Sequence, residues 1–279
     1  MEKRVMDNLK INEFKQNLIL EEKSKVTVEK YVRNINKFFK FIGTNEVSKE
    51  RAIEYKDELK KRGYAVRSIN SMISALNAFF VFFGWNDCCI KSIRVQKQIY
   101  CAEDKELKKA EYIKLLHASE DNPRLHMILQ TICSTGIRVS ELKHFTIESI
   151  KKGKVVVSCK NKTRIILVPG KLKKMLLDYS KKRGIKEGVV FRTRNGNPVN
   201  RSNIWKEMKK LCKEAGVNPS KVFPHNLRKL FARTFYRIEK DISKLADILG
   251  HSNINTTRIY IMTTEFEHRK KIERLGLVI

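Results

Sequence analysis

Residues 249–260 read LGHSNINTTRIY: a glycine able to end a helix, a histidine directly after it, and a tyrosine nine residues past that histidine. The apolar repeat upstream predicts a helix over 242–249 stopped by Gly250, and a second short helix over 255–260. Two further stretches hold basic residues in similar company, STGIRVSEL at 134–142 and HNLR at 225–228. Arg138 follows closely on a glycine, and Glu141 lies one helical turn on, where a carboxylate could hold the guanidinium. His225 and Arg228 are three apart on a helix expected over 225–238, so both face one way and could grip oxygens of a single phosphate at a helix N-terminus. Singly, each residue has an ordinary reading: Arg138 as a surface ion pair, His225 as a cap, His251 as complement to a helix dipole, Tyr260 as core or interface.

The rest of the chain bounds what such residues could act on. Its 279 residues suit two domains, and a 42% hydrophobic composition suits globular ones. Lys and Arg number 59 against 30 Asp and Glu, a formal charge of +29 spread along the whole chain, so a large polyanion is the expected partner. No apolar run approaches the roughly 18–20 residues of a spanning helix and no N-terminal segment resembles a signal peptide, which gives a cytoplasmic expectation and no membrane partner. The six cysteines, Cys88, Cys89, Cys101, Cys133, Cys159 and Cys212, form no CxxC pair. Reduced and mostly buried thiols are expected, with no metal site. A phosphate-cradling glycine loop and a carboxylate cluster for two metals are both missing from the sequence, so no cofactor is expected.

Helical spacing runs from Ile11 to about Trp85, through Val28, Tyr31, Ile35, Phe38, Phe39 and Ile42, then Ile69, Met72, Ile73, Leu76, Phe79, Phe80 and Phe83. Four helices fit, with Thr27 and Ser48 as expected N-caps and Gly43, Gly63 and Gly84 near helix ends. The periodicity fades into a basic stretch, giving expected boundaries of 1–86 for a helical domain, 87–105 for a linker and 106–279 for a second domain. Beyond the linker, helices are predicted over 109–119, 123–134, 139–145, 172–182, 202–215 and 265–275. A β-hairpin is predicted from 154–158 and 163–168, turning at Lys160, Asn161 and Lys162. The fold class expected is mainly α with a small β-sheet.

Taken together, the Thr-Gly-x-Arg-x-Ser-Glu-Leu block, the His-x-Leu-Arg block and the Leu-Gly-His block ending in Tyr260 resemble the signature of tyrosine recombinases, the phage integrases and Xer-type resolvases. Phe14, Leu18, Thr27, Tyr31, Phe38 and Phe41 fit that family's helical core-binding (SAM-like) domain. The resemblance implies a core-binding bundle joined to an α+β catalytic domain, the two forming a clamp around DNA. It implies that Arg138, His225, Arg228 and His251 surround the scissile phosphate and that Tyr260 attacks it. A hairpin lysine completes the set; Lys160 is the best match and Lys162 the rival, with Lys162 and Arg164 also expected to contact DNA and Glu141 to support Arg138.

Such a set suits phosphodiester chemistry. Two guanidinium forks match the charge that gathers on non-bridging oxygens, a lysine with a lowered pKa can protonate a leaving 5′ oxygen, and a histidine can take the tyrosyl proton. The implied activity is site-specific recombination through a 3′-phosphotyrosyl intermediate and a Holliday junction, in integration, excision or resolution. Implied partners are double-stranded recombination sites, further copies of the chain in a tetramer, and accessory DNA-bending or directionality proteins, in a phage or other mobile element. The terminal helix packs either on a neighbouring copy or on its own domain. Two alternatives share the chemistry or the partner: a type IB topoisomerase, and a catalytically silent DNA-binding regulator.

Overall fold

The computed structural model describes residues 4–43, 46–95, 106–159 and 162–277, with the side chains of Cys159 and Lys162 outside that set. The chain divides into two units, 1–97 and 98–279.

In the first unit the apolar stripes become α1 (Asn8–Leu20), α2 (Lys25–Ile42), α3 (Lys49–Lys61) and α4 (Val66–Phe82). Ile35, Phe38, Leu76, Phe79 and Phe80 are fully buried between them, each contributing about 1.5–3 kcal/mol by leaving water. Phe14 meets Phe79 edge to face at 5.4 Å and Phe38 meets Tyr55 at 5.2 Å. Ser48 caps α3 as expected, but α2 starts earlier than its sequence suggested: Ser24, not Thr27, is the N-cap and accepts from the Thr27 N–H. Thr27 therefore lies inside the first turn, its hydroxyl 2.8 Å from that of Ser24.

The stretch after α4 is tied down as far as Ile93. Asn77 and Asn70, two turns apart on one face of α4, each pair with a backbone amide and carbonyl, at Ile90 and Ile93 respectively. Each asparagine thus mimics one rung of a β-ladder, and Cys88 and Ile90 are buried beneath.

The second unit runs α5 (Lys109–Ala118), α6 (Pro123–Thr135), a 3-10 turn over Val139–His144, α7 (Ile147–Lys151), β1 (Lys154–Cys159), β2 (Lys162–Leu167), α8 (Gly170–Lys182) and α9 (Arg201–Glu214). It closes with α10 (Pro224–Glu239), α11 (Ile242–Leu249), α12 (Ile254–Ile261) and α13 (Glu265–Glu273). The strands pair antiparallel from Lys154 with Leu167 to Cys159 with Lys162. Val155, Val157 and Ile166 face the core while Val156, Ile165 and Leu167 face out, the alternation a half-buried hairpin requires. Ile128, Leu129 and Ile132 of α6 pack with Leu176 of α8, Met208 of α9 and Leu227 of α10 in the main core. A smaller cluster of Ala232, Leu245, Leu249 and Tyr260 joins α10, α11 and α12. The short α7 fell between expected elements because five residues carry too little periodicity to read.

Among the described residues no helix is long and apolar enough to cross a membrane. The described cysteines are unpaired; Cys88 and Cys212 are buried, but Cys89 and Cys133 are only partly so. Cys101 and the side chain of Cys159 lie outside the described residues.

Candidate active site

Helix α11 is eight residues long and ends at Gly250, whose φ of +64° is the left-handed turn glycine adopts freely. A helix end leaves carbonyls without intrahelical partners and concentrates negative partial charge there. Three arginines from three different segments satisfy three consecutive carbonyls: Arg164 of β2 donates to Ile248, Arg228 of α10 to Leu249 at 2.6 Å, and Arg138 to Gly250 at 3.1 Å. Repulsion among the guanidinium groups is offset by the helix dipole and by one carboxylate. Glu141 pairs with the guanidinium groups of both Arg138, at 3.0 Å, and Arg164, at 2.5 Å, and its carboxylate also accepts from the Arg138 backbone N–H at 2.7 Å. Burial alone would raise the Glu141 carboxyl, but the Arg138 N–H and the two guanidinium groups outweigh it and hold the pKa below the usual range.

Arg228 is 2% exposed. One of its nitrogens also donates to the Gly136 carbonyl, reached because Gly136 turns left-handed at the end of α6. A Cβ on Gly136 would overlap the Phe231 ring, so glycine is needed there for space as well as φ. Burial first, then the Arg138 charge, brings the Arg228 pKa down to about 10, which still leaves it charged at neutral pH.

The same guanidinium lies 3.0 Å from Nε2 of His251, whose Nδ1 lies 2.9 Å from the Thr257 hydroxyl. Arginine only donates, so Nε2 accepts and the ring proton belongs on Nδ1, facing Thr257. Thr257 is fully buried on α12, and its hydroxyl is placed to accept that proton. Sequence reasoning missed it; the available signal was a hydroxyl one turn before the tyrosine, on the inward side of a short helix.

Tyr260 is 7% exposed, with its hydroxyl 3.3 Å from Nδ1 of His225. Its ring meets His225 and His251 edge to face at 4.9 and 5.0 Å. Burial, followed by the Lys229 and Arg228 charges, takes the His225 pKa from 6.5 to about 4. Burial followed by Arg228 and Arg138 does the same to His251. Both imidazoles are therefore neutral at pH 7, and His225 can accept a proton from the tyrosine.

The structure thus brings Arg138, Glu141, His225, Arg228, His251 and Tyr260 into one connected cluster. Arg164 belongs to it too: its guanidinium is engaged by Glu141 and the Ile248 carbonyl, and its side chain is 14% exposed. Lys160 lies outside the described residues; β1 ends at Cys159, so it directly follows the first strand. Lys162 opens β2, its side chain also outside the described set. Among the described residues no three His, Cys, Asp or Glu side chains gather as a metal site.

Comparison with known proteins gives a consistent result. Residues 105–266 match the Phage integrase family, and residues 11–86 match the Phage integrase, N-terminal SAM-like domain. The chain is 31% identical to the tyrosine recombinase XerA of Pyrococcus horikoshii, over 96% of this chain and 94% of that protein. It is 29% identical to XerA of Pyrococcus furiosus, over 100% and 98%. Among solved structures, the Tn1549 transposon integrase in complex with transposon right end DNA superposes with a TM-score of 0.74 at 18% identity, covering 96% of this chain and 99% of that one. XerH recombinase bound to palindromic difH substrate gives 0.71 at 18%, covering 98% and 90%.

Proposed function

Because the chain belongs to the phage integrase family and is a tyrosine-type site-specific DNA recombinase, we propose that Tyr260 is the nucleophile that cleaves and rejoins each DNA strand. The observation that carries this reading is the Tyr260 hydroxyl at 3.3 Å from a neutral His225, beside guanidinium groups fixed on the end of α11.

In the proposed step the Tyr260 oxygen bonds to phosphorus and the bond to the 5′ oxygen breaks. His225 takes the tyrosyl proton, and Lys160 gives a proton to the leaving oxygen, with Lys162 the alternative donor. Arg138 and Arg228 stabilise the charge on the non-bridging oxygens, Glu141 orients Arg138, and His251 holds Arg228 from the other side. The 3′-phosphotyrosyl bond conserves the energy of the broken one, so the 5′ hydroxyl of a second strand can reverse the reaction without ATP or metal.

Repeated on paired duplexes, this chemistry passes through a Holliday junction and calls for a tetramer on two double-stranded sites. In this reading residues 1–86 bind DNA, 87–105 link, and 106–279 catalyse. Most contacts then fall on phosphates, as the +29 charge favours. The work is cytoplasmic, for a mobile element or for resolution of joined DNA molecules, with accessory DNA-bending or directionality proteins setting direction.

A library of nicked duplexes with randomised sequence tests the reading: a nick lets the 5′-ended fragment escape, so cleaved DNA stays on the protein and its sequence identifies the site. Intact duplexes carrying that sequence should then exchange strands reciprocally. Relaxation of supercoils without exchange would instead mark a type IB topoisomerase, and binding without cleavage a regulator.

A further inference from the structure

Resting on that reading, we propose that Arg233 is a positioning residue for Tyr260, holding the far end of the nucleophile helix through the carbonyl of Met262. Arg233 lies on α10 two turns beyond His225, about 12 Å along the axis. At one end His225 meets the Tyr260 hydroxyl; at the other an Arg233 nitrogen donates to the Met262 carbonyl at 2.7 Å, one residue past the end of α12. Helix α10 therefore holds α12 at two points, Tyr260 itself and the Met262 carbonyl two residues on.

The second grip is built for a protein partner. Arg233 is ion-paired with Glu106, and the two side chains are only 11% and 18% exposed. Its charge is thus met by a carboxylate and covered, whereas Arg138, also paired with a carboxylate, keeps 40% of its side chain exposed. The Met262 carbonyl is the kind of group a helix end leaves without an intrahelical partner. Glu106, Arg233, Tyr260 and Met262 line one small cleft together with Lys229 and Ile259, so the grip and the nucleophile share a wall. Helix α12 has only eight residues, too few to hold itself. Its two anchors on α10 decide where the hydroxyl points, and in-line attack tolerates little displacement, a shift of about 1 Å costing as much as about 100-fold.

Two variants test this on the duplex captured by the wild type. Arg233→Met removes the donor to Met262. Glu106→Gln removes the ion pair but keeps that donor, and serves as the control for lost stability. Single-turnover formation of the covalent adduct should fall about 10-fold or more in Arg233→Met while DNA affinity stays unchanged. Hydrogen exchange over 254–262 should speed up in that variant. Glu106→Gln should lose thermal stability yet cleave near the wild-type rate, and Arg233→Lys should restore part of the loss. Wild-type cleavage by Arg233→Met, or rates that simply track Tm across the variants, would overturn the proposal. Wild-type protein that forms no adduct at all would overturn the recombinase reading and this inference with it.

Discussion

The Tyr260 hydroxyl sits 3.3 Å from Nδ1 of His225, and the two rings meet nearly perpendicular, at 88°. In the proposed reaction that pairing gives the tyrosine a specific proton acceptor. The acceptor is neutral because burial and the Lys229 and Arg228 charges resist protonation.

Acid should therefore act on both histidines. In the unfolded chain they titrate near 6.5, and in the folded protein near about 4. Between those values the unfolded state binds more protons, so stability falls as pH drops through the window and is regained as it rises. Tm measured from neutral pH toward about 4 should decline, more shallowly in His251→Gln. If, as proposed, bound DNA places a phosphate near both rings, it should raise both pKa values and blunt the decline. A flat Tm across the window would contradict the buried-neutral assignment.

Arg228→Lys keeps a charge but loses the planar fork that reaches Gly136, Leu249 and His251 at once. Cleavage should fall about 100-fold or more, with single-turnover kinetics as the measurement. A lysine variant cleaving at the wild-type rate would show that the fork is dispensable.

Glu141→Gln leaves two guanidinium groups beside the end of α11 without their shared carboxylate. Removing one side of a buried pair costs about 3–5 kcal/mol. Arg164 being 14% and Arg138 40% exposed, the lower end is expected here. Denaturant unfolding reads the loss, and cleavage should drop with it because Arg138 is no longer aimed.

Much of this site was legible in the sequence because its residues sit in short blocks with glycines beside them: Gly136 before Arg138, Gly250 before His251. The geometry explains the pairing, since each glycine supplies a left-handed turn that exposes a carbonyl to an arginine. What could not be read were partners distant in sequence. Nothing in the spacing of the hairpin shows that Arg164 pairs with Glu141, 23 residues away. Thr257 and Arg233 were equally hidden, their roles depending on which sides of α12 and α10 face the site. The Thr27 misreading is of another kind: Ser24 and Thr27 both cap well, and only the backbone decides between them.

Gly250→Ala puts the glycine argument to the test. The substitution forces a side chain into φ +64°, with its Cβ 2.6 Å from Cδ of Arg164. A loss of about 1–3 kcal/mol is expected, together with slower cleavage, because Arg138 and Arg164 both bind this turn. Unfolding at wild-type denaturant concentrations would show that the turn relaxes freely.

The central claim rests on one bond. Wild-type protein incubated with the nicked-duplex library, digested and examined by mass spectrometry should yield a peptide carrying a 3′-linked nucleotide on Tyr260, and Tyr260→Phe should bind the same DNA and yield none. An adduct on any other residue, or one that persists in Tyr260→Phe, would contradict the account.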